Sequence, residues 1–109
     1  MKKMFFFLTC CFILCGCSKE INGYEITNLK ATPYSDDAYY IGGDIKNVNT
    51  EECEVVNIWL KLLGDGDLED TTCITVDSPK KGESDYFYEK IHTELSSFKI
   101  IVNDVYCND

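Results

Sequence analysis

The chain reads as an all-β protein, a small β-sandwich of about six to seven antiparallel strands, and three observations lead there. Segments rich in β-branched and aromatic residues are separated by Gly, Pro, Asn and Asp at spacings of about ten. Inside these segments apolar and polar residues alternate with period two, as in a strand with one buried face. Once an N-terminal leader is set aside, the remaining length suits one domain with a single core and not two.

The leader is legible in its order of charge and hydropathy. Met1-Lys2-Lys3 is a short positive segment, Met4 to Leu14 is an unbroken run of apolar residues, threonine and cysteine, and Cys15-Gly16-Cys17 follows. That order is how a secretory signal reads. A spanning helix needs roughly 20 apolar residues, and this run stops at about a dozen before Ser18-Lys19-Glu20 turns polar. A removable signal over residues 1–16 is therefore expected, and not a permanent span.

Removing sixteen of the 109 residues leaves 93, and the loss of Lys2 and Lys3 takes the formal net charge from −9 to −11. The chain contains no arginine. A polyanion of this kind is a poor candidate for nucleic acid or for an anionic lipid surface. Its acidity suits a domain kept soluble by its own net charge.

Residues 17–23 are polar and carry an Asn22-Gly23 turn signal, which predicts a short tether before the folded part, residues 24–109. Strands are then expected over Tyr24 to Thr32, Ala38 to Asn47, Glu52 to Leu63, Leu68 to Asp77, Ser84 to His92 and Ser97 to Tyr106. In the second, Tyr39, Ile41, Gly43 and Ile45 face one way and Tyr40, Gly42, Asp44 and Lys46 the other. Thr72, Ile74 and Val76 alternate with Thr71, Cys73 and Thr75, and Phe98, Ile100 and Val102 with Lys99, Ile101 and Asn103. The stretch from Cys53 to Leu63 is apolar enough for helix or strand, but Val55, Val56, Ile58 and Trp59 are β-formers and the turn Gly64-Asp65-Gly66-Asp67 follows, so it is expected to be a central strand. A helical turn around Lys90 to Leu95 is the alternative to strand there.

Two resemblances add to this reading. Leu14-Cys15-Gly16-Cys17 resembles the lipobox of bacterial lipoproteins, with an aliphatic residue at minus three and a small one before the cysteine. The likeness implies diacylation of the Cys17 sulfur, cleavage between Gly16 and Cys17, and a membrane-anchored domain on the extracytoplasmic side of the cell envelope. Two acyl chains matter, because one alone holds only marginally at about 0.8 kcal/mol per buried CH₂.

The second resemblance runs from about Tyr24 to Tyr106. Ile41-Gly42-Gly43-Asp44-Ile45-Lys46-Asn47, the apolar strand reaching Gly64-Asp65-Gly66, Pro79-Lys80-Lys81-Gly82-Glu83 and Phe98-Lys99-Ile100 resemble the FxLYD family of small β-sandwich domains, common in bacterial lipoproteins. The stretch matching the naming motif reads Leu60-Lys61-Leu62-Leu63 and departs from it, reaching its Asp-Gly turn through one extra residue. The resemblance implies an immunoglobulin-like sandwich and brings no catalytic residues with it.

Candidate sites are sparse. His92 is the only histidine, and no nucleophile or second base stands in a recognisable motif with it, so no catalytic residue and no cofactor is expected. Asp65, Asp67 and Asp70 carry the hard-oxygen chemistry that calcium prefers, but Val76 stands where an EF-hand places its last ligand. Asp-Gly is also a common hairpin turn, so a solvated loop is preferred over a metal site.

Cys17, Cys53, Cys73 and Cys107 remain after cleavage, and export places them in an oxidising compartment. Antiparallel pairing of the central strand with the last one sets Cys53 beside Cys107, which predicts that bridge and leaves Cys73 as a buried thiol. A bridge through Cys73 and three free thiols are the alternatives. Tyr86 and Tyr88 share a strand face opposite Phe87, and Tyr40 is expected on the same sheet, which makes these tyrosines the candidate binding surface. Edge covering by the same residues is the competing reading.

The function expected from the sequence is that of a membrane-anchored, non-enzymatic interaction or structural module, with an envelope protein as its partner and no nucleic acid. The alternative is a ligand- or calcium-binding accessory subunit of an envelope transporter or enzyme.

Overall fold

The computed structural model describes residues 20–49 and 53–108. The leader expected over residues 1–16, Cys17 and the lipobox-like stretch lie outside those residues. Seven strands form in order: β1 (Glu20–Ile21), β2 (Tyr24–Ser35), β3 (Ala38–Asn47), β4 (Val55–Leu63), β5 (Glu69–Asp77), β6 (Ser84–His92) and β7 (Lys99–Asn108). They make two antiparallel sheets, β1-β2-β3-β6 and β5-β4-β7, stacked as a small β-sandwich. No helix occurs among the described residues, so the helical turn considered near Lys90 is strand as far as His92 and a loop beyond.

The alternation in the sequence becomes the inner faces of the sandwich. Tyr24, Ile26, Tyr39, Ile41, Ile45, Phe87 and Ile91 come from one sheet. Val56, Ile58, Leu60, Leu62, Ile74, Val76 and Val105 come from the other. Strand β4 pairs on both sides, with β5 and with β7, so it is the central strand of its sheet. Four of its side chains, Val56, Ile58, Leu60 and Leu62, are fully buried.

Residues 20–23 depart from the tether expected of their polarity. They form a tight hairpin with β2, in which Asn22 and Gly23 both take positive φ, at 52° and 86°. That backbone is the signature of a two-residue hairpin turn favoured by Asn-Gly. A Cβ on Gly23 would run into the Asn49 side chain. The hairpin also reaches the opposite sheet, because Asn22 Nδ2 donates to the Val105 carbonyl on β7 at 2.6 Å. Polarity alone hid this strand, since it is two residues long and its order comes from tertiary hydrogen bonds.

Asn47 fastens the other crossing. Its side chain is fully buried and donates to the Pro79 carbonyl at 2.9 Å, while its Oδ1 accepts from the Asn49 amide at 2.8 Å. Its backbone bonds Glu83 and Gly82 as well. A buried amide with every polar atom engaged holds register where an unpaired one would cost about 1–3 kcal/mol. Tyr24 closes the same end through a 2.9 Å hydrogen bond to Ser78 Oγ.

Two bulges shape one side of the sandwich. Strand β2 slips register between Thr27 and Lys30, with Asn28 at φ 58°, and β7 slips between its partners of Trp59 and Leu60, at Asn103. Each inserts unpaired residues and bends its strand.

Candidate functional site

The outer face of the four-stranded sheet carries a row of tyrosines, and cross-strand register builds it. Tyr40 stands opposite Lys90, Gly42 opposite Tyr88, and Asp44 opposite Tyr86, all pointing away from Ile41, Ile45 and Phe87. Tyr40 and Tyr88 stack with centroids 4.6 Å apart and planes 2° from parallel, and Tyr86 follows Tyr88 at 6.3 Å and 21°. Tyr34 abuts Tyr40 edge to face at 5.5 Å, and the Lys90 ammonium lies 4.5 Å above the Tyr34 ring. Each aromatic pair adds about 0.5–1.5 kcal/mol beyond its area.

Gly42 makes the row possible. A Cβ there would strike the Tyr86 hydroxyl and come within 3.2 Å of Tyr88 Cδ1, so both rings lie over the bare backbone of this residue. Covering a strand glycine with a neighbouring aromatic is a recognised way to stabilise a sheet. The rings still remain open to water, with Tyr86 66%, Tyr34 60% and Tyr88 47% exposed. Among the described residues, the hydroxyls of these four tyrosines have no hydrogen-bond partner in the protein. Tyr34 lies beyond the strand expected over Tyr24 to Thr32, and the extension of β2 to Ser35 carries it onto the face.

The disulfide joins Cys53, just before β4, to Cys107, near the end of β7, with Cα atoms 6.0 Å apart. Val56 and Cys107 are register partners, so antiparallel pairing supplies the proximity. Cys73 corrects the expectation of a buried thiol: it is free and exposed. Its partner across the strands is Trp59, and both point outward while Ile74 beside it faces the core. Partial burial nevertheless pushes its thiol above the ordinary value.

The acidic loop is a closed turn. Gly64 N donates to Leu68 O at 2.9 Å, Gly66 takes φ 64°, and Asp65 and Asp67 face solvent. Asp70 is turned elsewhere, accepting from Thr93 Oγ1 at 2.7 Å and from the Thr71 amide. The three aspartates do not converge, and no group of three His, Cys, Asp or Glu side chains among the described residues is placed to hold a metal ion. His92 ends β6 on the exposed side.

Comparison of the chain with protein families, with curated proteins and with solved structures finds no match.

Proposed function

We propose that this chain is a membrane-anchored lipoprotein of the cell envelope, facing the extracytoplasmic side, whose β-sandwich serves as a non-enzymatic interaction module. The observation that carries the interaction role is the row Tyr34, Tyr40, Tyr88 and Tyr86. Four aromatic rings are held in fixed order on an exposed sheet face with their hydroxyls unused. Tyrosines already immobilised by stacking lose little entropy when a partner covers them, which is why they recur at protein interfaces.

The anchor rests on the lipobox-like Leu14-Cys15-Gly16-Cys17. The Cys53–Cys107 disulfide speaks for export, since such bridges persist in oxidising compartments. In favour of the FxLYD-like reading, the two polar motifs quoted for it touch, with Asn47 bonded to Pro79, Gly82 and Glu83.

A photo-crosslinking amino acid at position 86, expressed in cells of the source envelope, tests the interaction role. One or a few discrete adducts that disappear with Tyr88→Ala are the expected result. A chain that forms no adduct at 86 while remaining folded and membrane-bound overturns it. Mass measurement of the mature N-terminus tests the anchor, with an unmodified Cys17 as the outcome against it.

A further inference from the structure

An apolar groove of about 340 Å³ opens between β2 and β7, on the side of the sandwich where both strands bulge. Ile21, Ile26 and Leu29 line one wall, and Ile100 and Val102 the other. Ile101 stands at its rim, 45% exposed. No carboxylate lines it, although the chain carries nineteen Asp and Glu residues. Ile26 belongs to the buried core and Ile21, Leu29, Ile100 and Val102 pack partly buried against it, so with the exposed Ile101 they leave an aliphatic strip open on a very acidic molecule, a surface that suits an apolar occupant.

The position of the chain terminus selects that occupant. The described structure begins at Glu20, and Ile21, its neighbour, is part of the groove wall. Asn22 ties this strand to β7 through its 2.6 Å bond to Val105 O, so the start of the fold is fixed relative to the groove. Cys17 lies three residues before Glu20, and three residues span at most about 11 Å. Ile21 is one residue further on, so acyl chains on Cys17 bring the bilayer surface to within about 14 Å of the groove's end.

We propose that this β2–β7 edge is the face the domain seats on the lipid bilayer, with Ile101 entering the boundary between headgroups and acyl chains and the partly buried Ile21, Leu29, Ile100 and Val102 lying against it. The inference rests on acylation of Cys17 as proposed above. The driving force is apolar burial, in which side chains enter the interface by about 5–10 Å. The net negative charge rules out electrostatic attraction to anionic lipid as the driver, and the covalent anchor supplies the proximity that a weak apolar contact lacks. Seating this edge also orients the tyrosine row, whose near end, Tyr34, stands on β2 itself. In the order β1-β2-β3-β6 the strand bearing Tyr86 and Tyr88 is at the opposite edge of the sheet from β1. Those rings are then carried to the side away from the lipid.

The test uses the full acylated chain in vesicles of phosphatidylcholine and phosphatidylethanolamine with brominated acyl chains. Trp59, the only tryptophan, is first replaced by Phe, and Ile101→Trp and Tyr86→Trp are then made separately in that background. Both positions are exposed, so circular dichroism should show the fold retained. Bromine should quench the indole at position 101 several-fold more than the one at position 86. Equal or reversed quenching, with diacylated Cys17 confirmed by mass, overturns the seating and leaves the anchor standing. Absence of the acyl mass removes both. A crosslinked dimer through position 101 without lipid quenching also overturns it, in favour of a second copy in the groove.

Discussion

The two outer faces of the sandwich both carry aromatic residues and use them in opposite ways. On the three-stranded sheet, Trp59 Nε1 donates to Tyr106 Oη at 2.8 Å, so the indole N–H is paired and the phenol oxygen is used as its acceptor. On the four-stranded sheet, the tyrosines stack ring on ring and leave their hydroxyls without protein partners among the described residues. An aromatic pair bonded to itself has less left to offer a partner, whereas hydroxyls on a rigid row that neither donate nor accept have all their bonds still to make. Aromatic content alone does not mark an interface, and the bonding state of the polar atoms separates the two faces.

Breaking the disulfide is the harshest way to probe this contrast, because it clasps the end of the three-stranded sheet. Cys53 and Cys107 are 54 residues apart, and closing a loop of that length stabilises by about 4 kcal/mol on the chain-entropy estimate. Reduction should lower the melting temperature by more than about 15 °C. The tyrosine near-ultraviolet dichroism below the transition should stay unchanged, and its loss in step with reduction would mean the two faces are not independent.

Tyr88→Ala comes next, since Tyr88 stacks on both Tyr40 and Tyr86. A loss of about 1–2 kcal/mol in urea unfolding is expected, with the near-ultraviolet tyrosine signal reduced. Tyr106→Phe removes the acceptor of Trp59 and should cost about 1 kcal/mol, with a shift in tryptophan emission. The same single-oxygen deletion on the other face, Tyr86→Phe, should change stability by less than about 0.5 kcal/mol while weakening adduct formation from a neighbouring crosslinker. Similar costs for the two Phe substitutions would erase the contrast.

The smallest effect concerns Cys73. Its thiol is held above the ordinary value near 9.0 by partial burial, so the folded chain holds less thiolate than the unfolded chain at the same pH. Alkylation at pH 8 should be slower for the native protein than for the urea-unfolded one, followed by mass. The sign for stability is the same: ionisation favours the unfolded chain, and stability falls as pH rises past the ordinary thiol value. Native alkylation at the unfolded rate would show the sulfur to be fully solvated.

Most strand positions were legible because period-two alternation needs only local sequence. Ala38–Asn47 and Ser84–His92 appear with the boundaries read from the residues. Cys73 shows the cost of not following that rule through: the alternation that buries Ile74 must expose its neighbour. Tyr34 and the Glu20–Ile21 strand were illegible for another reason. Their order comes from contacts with Tyr40, Lys90 and Val105, which are distant in sequence.

By itself, the sequence determined the all-β class, the central place of β4 and the core faces of the regular strands, because burial in a sheet imposes a periodicity that any local window reveals, whereas the bulge at Asn103 puts Val105 in the core against the local alternation. Only the tertiary structure decided which tyrosines stack, which aromatic hydroxyl is spent on Trp59, and where the two bulges open a groove beside the N-terminal strand. Those outcomes depend on register between strands remote along the chain, and a shift of one residue in that register would send each side chain to the opposite face.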